Sequence, residues 1–277
     1  PKKVSQPMHP DYHPELDTTD IMDSDRRQIY WSLIGMLQWA VTQGRIDIHH
    51  ATMCMSRFRA EPRQGHLQAV AKIFGYLDNY RSASIKFRTG IPDYAEIEKE
   101  QPVEYDWSYI YGKVKEMTDP NLPKAKGKSV RASFFIDANL GHDKVTGRSC
   151  CGIISMLNLT PIDSYCKLTN TVETATYGSV FNVARIGVDK VLAERYKLRA
   201  LGVAVDGPAY MFGDSKSVVL SSTILSHALN KRHNFLSYHY VRECITATHN
   251  GQPILKFLHI SGKDNPSGLQ HEVSPRK

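Results

Sequence analysis

The apolar residues of the first eighty positions recur at helical spacing. From Asp25 to about Gln43 they return every three or four residues, and Gly44 ends this run. A second run follows as far as Pro62, and a third spans residues 64–77. We expect these three amphipathic helices to form a small helical unit over residues 25–78 that leaves apolar surface for another partner. The contact positions predicted between the helices are Leu33, Leu37, Met55, Leu67, Val70 and Phe74.

Two other stretches lack this periodicity. Residues 1–24 contain three prolines and end in an acidic run, which predicts an extended arm. Residues 79–128 are also interrupted by prolines and end in the basic group Lys124, Lys126 and Lys128, which predicts a linker. Aromatic residues alternate with polar ones at positions 105–111 of this linker. This alternation favours a short, half-buried strand over a strip for stacking nucleic-acid bases.

From residue 129 onward the pattern is that of an α/β domain. Strands are predicted over residues 132–136, 150–157, 161–167, 209–212 and 254–260. Helices are predicted over residues 179–201, 215–227 and 235–248. We therefore expect residues 129–277 to form a mixed sheet flanked by helices.

Composition narrows the class of protein. The net charge of +7 favours a polyanionic partner. No apolar stretch approaches the ~18 residues of a membrane span, and there is no signal peptide. The first residue is Pro1 and not methionine, which suggests a segment of a longer polypeptide. The odd number of cysteines predicts a reduced, intracellular compartment. The five cysteines include no Cys-x-x-Cys pair, and the adjacent residues His49 and His50 make a poor metal pair. We therefore expect neither a disulfide framework nor a zinc cage.

Two acidic residues stand at the ends of predicted strands, Asp137 and Asp214. A carboxylate at the end of a buried strand is costly unless a cation or a solvent-filled cleft receives it. If the two strands are neighbours, the two carboxylates can share magnesium, which prefers oxygen ligands. The alternative is that each aspartate caps the following loop or helix, which is the more common outcome of such spacing.

An ordered set of motifs resembles copia-type retrotransposon polyproteins, from the end of the reverse transcriptase through the ribonuclease H domain. The first part of the resemblance lies in residues 30–39 (YWSLIGMLQW), 44–48 (GRIDI), 55–58 (MSRF) and 66–77 (HLQAVAKIFGYL). The ribonuclease H part lies in residues 135–139 (FIDAN), 146–149 (TGRS), 212–217 (FGDSKS), 231–233 (KRH) and 238–243 (YHYVRE). The Tyr-x-Asp-Asp polymerase motif is absent, so the resemblance implies a partner, the reverse transcriptase palm upstream in the same polyprotein.

The resemblance implies a nuclease that cuts the RNA strand of an RNA–DNA hybrid with two magnesium ions. The family holds these ions with Asp, Glu, Asp and Asp, and Asp137 and Asp214 match the first and third positions. Val180 falls on the glutamate position and Gly268 falls on the fourth aspartate position. Two carboxylates offset only half of the charge of two magnesium ions. The resemblance therefore implies a degenerate nuclease in which magnesium is bound weakly or not at all.

An active, magnesium-dependent ribonuclease H is the alternative. It requires another acid in the site, and Asp264 and Glu272 lie one helical turn to either side of Gly268. Glu173 is the acid nearest to the Val180 position, but it precedes that position by seven residues.

A basic group defines the candidate nucleic-acid surface. It consists of Lys231, Arg232, His233 and His239. The resemblance predicts contacts to hybrid phosphates, which would recognise helix geometry and not base sequence. A solvated basic face is the alternative.

Overall fold

The computed structural model describes residues 4–101, 107–224 and 235–270. The helices are α1 (Ser24–Thr42), α2 (His49–Ser56), α3 (Gln64–Asn79), α4 (Ala95–Lys99), α5 (Ser108–Tyr111), α6 (Thr176–Ala200), α7 (Lys216–Thr223) and α8 (Phe235–Thr246). The strands are β1 (Ala132–Asn139), β2 (Cys150–Leu157), β3 (Thr160–Leu168), β4 (Ala209–Gly213), β5 (Thr248–His249), β6 (Gln252–Pro253) and β7 (Leu255–His259). None of the helices in this part of the chain has both the length and the apolar character needed to cross a membrane.

Helices α1, α2 and α3 share one apolar core. Of the six contact positions predicted from the periodicity, Leu37, Met55 and Val70 are buried, and the other three are partly buried against the same core. The helices are also joined by a hydrogen bond, because the Tyr30 hydroxyl donates to the Met55 carbonyl oxygen at 2.6 Å. The segment predicted as an extended arm adds the buried side chains of Met8 and Met22 and a short 3₁₀ helix, Pro14–Leu16.

One face of α1 remains apolar and exposed. Ile29, Met36 and Trp39 have relative exposures of 53%, 53% and 67%. Their spacing of seven and three residues places them on one side of the helix, opposite the buried residues Ile34 and Leu37. The helical unit therefore has a core of its own and also presents apolar surface.

The main sheet has five strands in the order β3-β2-β1-β4-β7. Strands β1, β2 and β3 are antiparallel neighbours, whereas β4 pairs in parallel with both β1 and β7. The core on one face is formed by this sheet with α6, α7 and α8. Gly187 allows the close approach of α6, because a Cβ atom there would lie 2.8 Å from the Met211 sulfur. The predicted α/β fold, a mixed sheet flanked by helices and preceded by a small helical segment, is confirmed.

The segment predicted as a linker covers the second face of the sheet. The Tyr94 ring lies 4.9 Å from the Tyr210 ring and 4.7 Å from the Phe212 ring, measured between centroids. The Tyr94 hydroxyl is 2.9 Å from the Ser133 hydroxyl. Glu98 in α4 accepts a hydrogen bond from the Tyr210 hydroxyl at 2.6 Å. Residues 94–98 are therefore packed against the domain.

The strand predicted over residues 105–111 is wrong for the part that the structure describes. Trp107 is followed by the helical turn α5, and residue 105 lies outside the described residues. Trp107 is fully buried, where its indole Nε1 donates to the Ser222 carbonyl oxygen at 3.1 Å. The Arg242 guanidinium lies 3.8 Å from its ring centroid. Trp107 is thus the buried anchor of this stretch, whereas the neighbouring Tyr109 is almost fully exposed.

A buried ion pair fixes the end of the same segment to α6. Glu116 accepts a hydrogen bond from Arg195 Nε at 2.8 Å and lies 2.7 Å from Arg199 Nη1. Arg195 is 1% exposed and also donates to the Gly207 carbonyl oxygen. Burial acts to raise the pKa of Glu116, but hydrogen bonds and charges from the two arginines outweigh it and lower that pKa.

We predict that Glu116→Ala lowers the free energy of unfolding by about 3–5 kcal/mol, because it leaves the buried Arg195 charge without its carboxylate. Urea unfolding at neutral pH measures this loss. Glu96→Ala is the matched control, since the Glu96–Lys99 pair is exposed and should contribute only about 0–1 kcal/mol. Equal, small effects of both substitutions would show that the segment is not fixed through Glu116.

Candidate active site

The two aspartates lie side by side at one edge of the sheet. Strands β1 and β4 are parallel, and the last pair in their register is Ile136 with Gly213. Asp137 is the next residue of β1, and Asp214 directly follows the last residue of β4. The chain therefore brings both to the same edge. Both are partly exposed, and Asp137 Oδ1 accepts a hydrogen bond from the Ala138 amide at 2.7 Å.

Asp214 does not cap the helix that follows it. The N-cap residue of α7 is Ser215. The Asp214 side chain instead lies against the loop after β7, where a Cβ atom on Gly262 would be 3.3 Å from Asp214 Oδ2. The backbone carbonyl of Asp214 lies 3.1 Å from His259 Nε2 at the end of β7. The end of β4 thus contacts both the end of β7 and the loop that follows it.

The loop after β7 is anchored to β1 beside Asp137. The Asn265 side-chain amide donates to the Ile136 carbonyl oxygen at 2.9 Å, and Ser267 donates to Asn265 Oδ1 from its hydroxyl at 2.6 Å. Asn265 and Ser267 are both buried. Neither residue was predicted as part of the site. Their signal in the sequence is their position just before Gly268.

Gly268 faces Asp137. A Cβ atom on Gly268 would lie 3.7 Å from Asp137 Oδ2, and no backbone atom outside the neighbouring residues would lie closer than 4.0 Å. A side chain at this position would therefore enter the space beside the carboxylate. This is the position at which the resemblance expects the fourth aspartate.

Val180 lies in the second turn of α6 and is 2% exposed, within the apolar core. The preceding residue, Ser179, has its hydroxyl 2.8 Å from the Ser149 hydroxyl. Ser149 comes directly before Cys150, which pairs with Asn139, two residues beyond Asp137. The start of α6 therefore lies at the same edge of the sheet as Asp137.

The other acids considered from the sequence have different surroundings. Glu173 lies in the turn before α6, where it accepts hydrogen bonds from Asn182 Nδ2 at 2.8 Å and from the Thr171 hydroxyl at 3.3 Å. Asp264 is exposed on the turn before Asn265. Glu272 lies outside the described residues.

These residues do not fit a two-magnesium centre. Within residues 4–101, 107–224 and 235–270, Asp137 and Asp214 belong to no group of three His, Cys, Asp or Glu side chains whose ligand atoms all lie within 4.8 Å of one another. Magnesium is held by several oxygen ligands, of which carboxylates supply the compensating charge. Val180 and Gly268 offer no side-chain oxygen, so among the residues that the structure describes this edge has the carboxylates of Asp137 and Asp214.

The candidate nucleic-acid surface is described in part. Lys231, Arg232 and His233 lie outside the described residues. His239 lies on α8, where its Nδ1 is 2.5 Å from the Tyr111 hydroxyl and its ring stacks edge-on against Phe235. Burial lowers the pKa of His239, which favours the neutral imidazole.

We predict that Gly268→Asp makes stability dependent on magnesium. The new carboxylate would stand beside Asp137, and repulsion between like charges should lower the melting temperature until a divalent cation binds. Thermal unfolding with and without millimolar Mg²⁺ measures the effect. Gly268→Asn, which adds nearly the same volume without charge, is the matched control. The same magnesium response in both variants would contradict the placement of Gly268 beside Asp137.

The chain is similar to two curated proteins from mobile elements. It is 26% identical over 249 residues to the retrovirus-related Pol polyprotein from transposon TNT 1-94 of Nicotiana tabacum, a match that covers 89% of this chain and 15% of that polyprotein. It is 38% identical over 61 residues to the putative transposon Ty5-1 protein of Saccharomyces cerevisiae, covering 22% of this chain and 20% of that protein. No protein-family model matches the chain.

Among solved structures, similar chains are ribonuclease H domains. The N-terminal RNase H domain of rv2228c from Mycobacterium tuberculosis aligns with a TM-score of 0.37 and 13% identity, covering 50% of this chain and 86% of that one. RNase H1 from Halobacterium salinarum aligns with a TM-score of 0.36 and 12% identity, covering 50% and 91%. The two curated matches agree with the resemblance found in the motifs: the chain is similar to part of the Pol polyprotein of retrotransposons.

Proposed function

We propose that this chain is the ribonuclease H-like part of a retrotransposon Pol polyprotein, and that it binds RNA–DNA hybrid without cutting it. The observation that carries the proposal is the composition of the sheet edge. Asp137 and Asp214 are adjacent there, whereas Gly268 leaves the space beside Asp137 without a third carboxylate. The edge thus corresponds to the nuclease site that the resemblance implies, with two of its four acids.

The charge of the site argues against cleavage. Two magnesium ions bring four positive charges, and the two carboxylates offset two of them. At the glutamate position Val180 packs in the apolar core, so no anionic bridge between two ions is available from that residue. Losing one electrostatic stabiliser of a transition state typically costs about 10²–10³ in rate, and losing a metal ion should cost more.

Binding depends on different groups. The net charge of +7 attracts a polyanion, and phosphate contacts from lysine and arginine require no metal. Lys216 is exposed two residues beyond Asp214, at the edge where the hybrid would lie. We propose Lys231, Arg232, His233 and His239 as further contacts, on the strength of the motif resemblance.

A weak, magnesium-dependent ribonuclease H is the second candidate function. It is favoured by the position of Asp137 and Asp214, since two adjacent carboxylates can hold a single magnesium ion with several waters. This candidate requires that one ion suffices for cleavage, or that Glu272 completes the site.

One experiment separates the two functions. A labelled RNA–DNA hybrid is incubated with the parent chain, with Asp137→Asn and with the double variant Val180→Glu/Gly268→Asp, each with and without Mg²⁺. We predict no cleavage by the parent and a gain of magnesium-dependent cleavage in the double variant, because the missing charge is restored. Cleavage by the parent that Asp137→Asn abolishes would establish the second candidate instead.

Hybrid binding is measured on the same proteins by fluorescence anisotropy at several salt concentrations. Asp137→Asn should bind like the parent, whereas Lys231→Ala/Arg232→Ala should weaken binding and reduce the salt slope by about two, roughly one for each lost phosphate contact. Arg81→Ala is the matched control, since Arg81 is an exposed cation directly after α3 and far along the chain from the proposed surface. An unchanged slope in the double alanine variant would contradict the proposed surface.

We propose that the exposed face of α1 contacts the reverse transcriptase palm upstream in the polyprotein. This face consists of Ile29, Met36 and Trp39. Trp39→Asp should weaken association with a separately expressed palm region at least about tenfold, because a large apolar contact is lost. Titration calorimetry measures this affinity. The control is Arg26→Ala, which changes α1 near its start, and equal affinities for the parent and Trp39→Asp would contradict the contact.

A further inference from the structure

Three side chains with metal-binding atoms meet where the helical unit contacts the sheet domain. His50 and Cys54 lie on α2, and His142 lies on the loop between β1 and β2. The ligand atoms of all three lie within 4.8 Å of one another. The three residues are 6%, 0% and 9% exposed, so the cluster is closed to bulk solvent.

The two sulfur–nitrogen distances in this cluster match those of a tetrahedral metal site. Cys54 Sγ is 3.5 Å from His50 Nε2 and 3.7 Å from His142 Nε2. Bonds of about 2.3 Å to sulfur and 2.05 Å to nitrogen, set at the tetrahedral angle, would place such atoms about 3.6 Å apart. Residues four apart on a helix share a face, which is how His50 and Cys54 converge. The two imidazole nitrogens also lie within 4.8 Å of each other, so the three atoms surround a position that one ion could occupy.

We propose that His50, Cys54 and His142 bind one zinc ion that joins the helical unit to the sheet domain. A thiolate with two imidazoles is a ligand set that suits zinc, whereas magnesium selects oxygen ligands. The ion would be distinct from any magnesium at Asp137 and Asp214, and its binding does not depend on the proposed nuclease-like function.

The protonation states without metal are compatible with this site. Burial lowers the pKa of the His142 imidazole, which keeps it in the neutral form that binds metal. Burial also raises the pKa of the Cys54 thiol, which keeps this thiol protonated without metal. When Zn²⁺ binds, a zinc–sulfur bond replaces the S–H bond of Cys54 and one proton is released to solvent. Zinc affinity should therefore fall as the pH falls.

Glu15 is a carboxylate near the cluster but is not one of its three ligand side chains. Its Oε1 accepts hydrogen bonds from the Lys144 amide at 2.9 Å and from His13 Nδ1 at 3.1 Å. The charge of Glu15 acts to raise the pKa of Cys54 and that of His142, because a negative charge disfavours the thiolate and favours the imidazolium. The same charge would stabilise a bound cation.

Other contacts at this boundary hold the same loop. Arg57, directly after α2, forms an ion pair with the fully buried carboxylate of Asp143. The Lys144 amide bonds to Glu15, as described above. Zinc would thus bind at a junction that is already ordered, five residues beyond Asp137 along the chain. It would fix the loop that leaves the candidate active site.

The test is zinc binding by the purified full chain. The protein is incubated with excess Zn²⁺, separated from free metal and analysed for bound zinc by mass spectrometry. We expect about one zinc per chain, and a loss of affinity of more than about tenfold in Cys54→Ser and in His142→Gln. Cys244→Ser is the matched control, since Cys244 is a buried thiol on α8 outside the cluster.

Cobalt substitution provides a spectroscopic readout of the cysteine ligand itself. Co²⁺ bound to the parent and to Cys244→Ser should show a thiolate-to-cobalt charge-transfer band, and Zn²⁺ should displace that band. In Cys54→Ser the band should be absent. The proposal is overturned if the folded parent retains no zinc, or if it retains stoichiometric zinc that Cys54→Ser leaves unchanged; in the first case the three side chains form a hydrogen-bonded cluster only.

Discussion

The parallel pairing of β1 with β4 is the constraint on which the rest of the structure depends. It brings the ends of two distant segments together, so that Asp137 and Asp214 become neighbours although 76 residues separate them in sequence. Side chains alternate between the faces of a strand, so a slip of one residue by either strand would move its aspartate to the other face of the sheet. The loop after β7 then closes the edge through the bond from Asn265 to Ile136.

Under the proposed function, the edge illustrates how such a site could lose acids without losing its structure. A glutamate in place of Val180 would put a charge next to the apolar core, which is tolerated only while a metal ion compensates it. Once the metal is lost, valine is the more stable residue at such a position. Gly268 behaves similarly, because a carboxylate there would repel Asp137 when no cation lies between them. Loss of metal and loss of these acids therefore favour each other.

The elements with regular periodicity could be predicted from the sequence. Strand β2 has the predicted bounds, and helices α1 and α3 begin and end within about two residues of their predicted limits, as is usual for helix ends. The segment between the helical unit and the sheet could not be predicted, because its order comes from long-range contacts. Trp107 is buried against α8, and Glu116 is paired with residues of α6. Proline content reports local chain preference and carries no information on these partners.

The candidate sites show the same limit. Motif resemblance located Asp137, Asp214, Val180 and Gly268, but the hydrogen bonds of Asn265 appeared only in three dimensions. The adjacent residues His49 and His50 make a poor metal pair, whereas the informative spacing is the one from His50 to Cys54 on the same helix. No local signal in the sequence connects His50 or Cys54 to His142, which lies 88 residues beyond Cys54. Such a cluster is formed by the packing of two units, and sequence periodicity describes each unit separately.

The central proposal is that the sheet edge does not form a two-metal centre. Isothermal titration of Mg²⁺ into the parent chain and into Asp137→Asn tests this claim directly, since magnesium does not favour the thiolate–imidazole cluster. The account predicts no magnesium binding tighter than millimolar in either protein. Two submillimolar magnesium sites in the parent, both lost in Asp137→Asn, would contradict it.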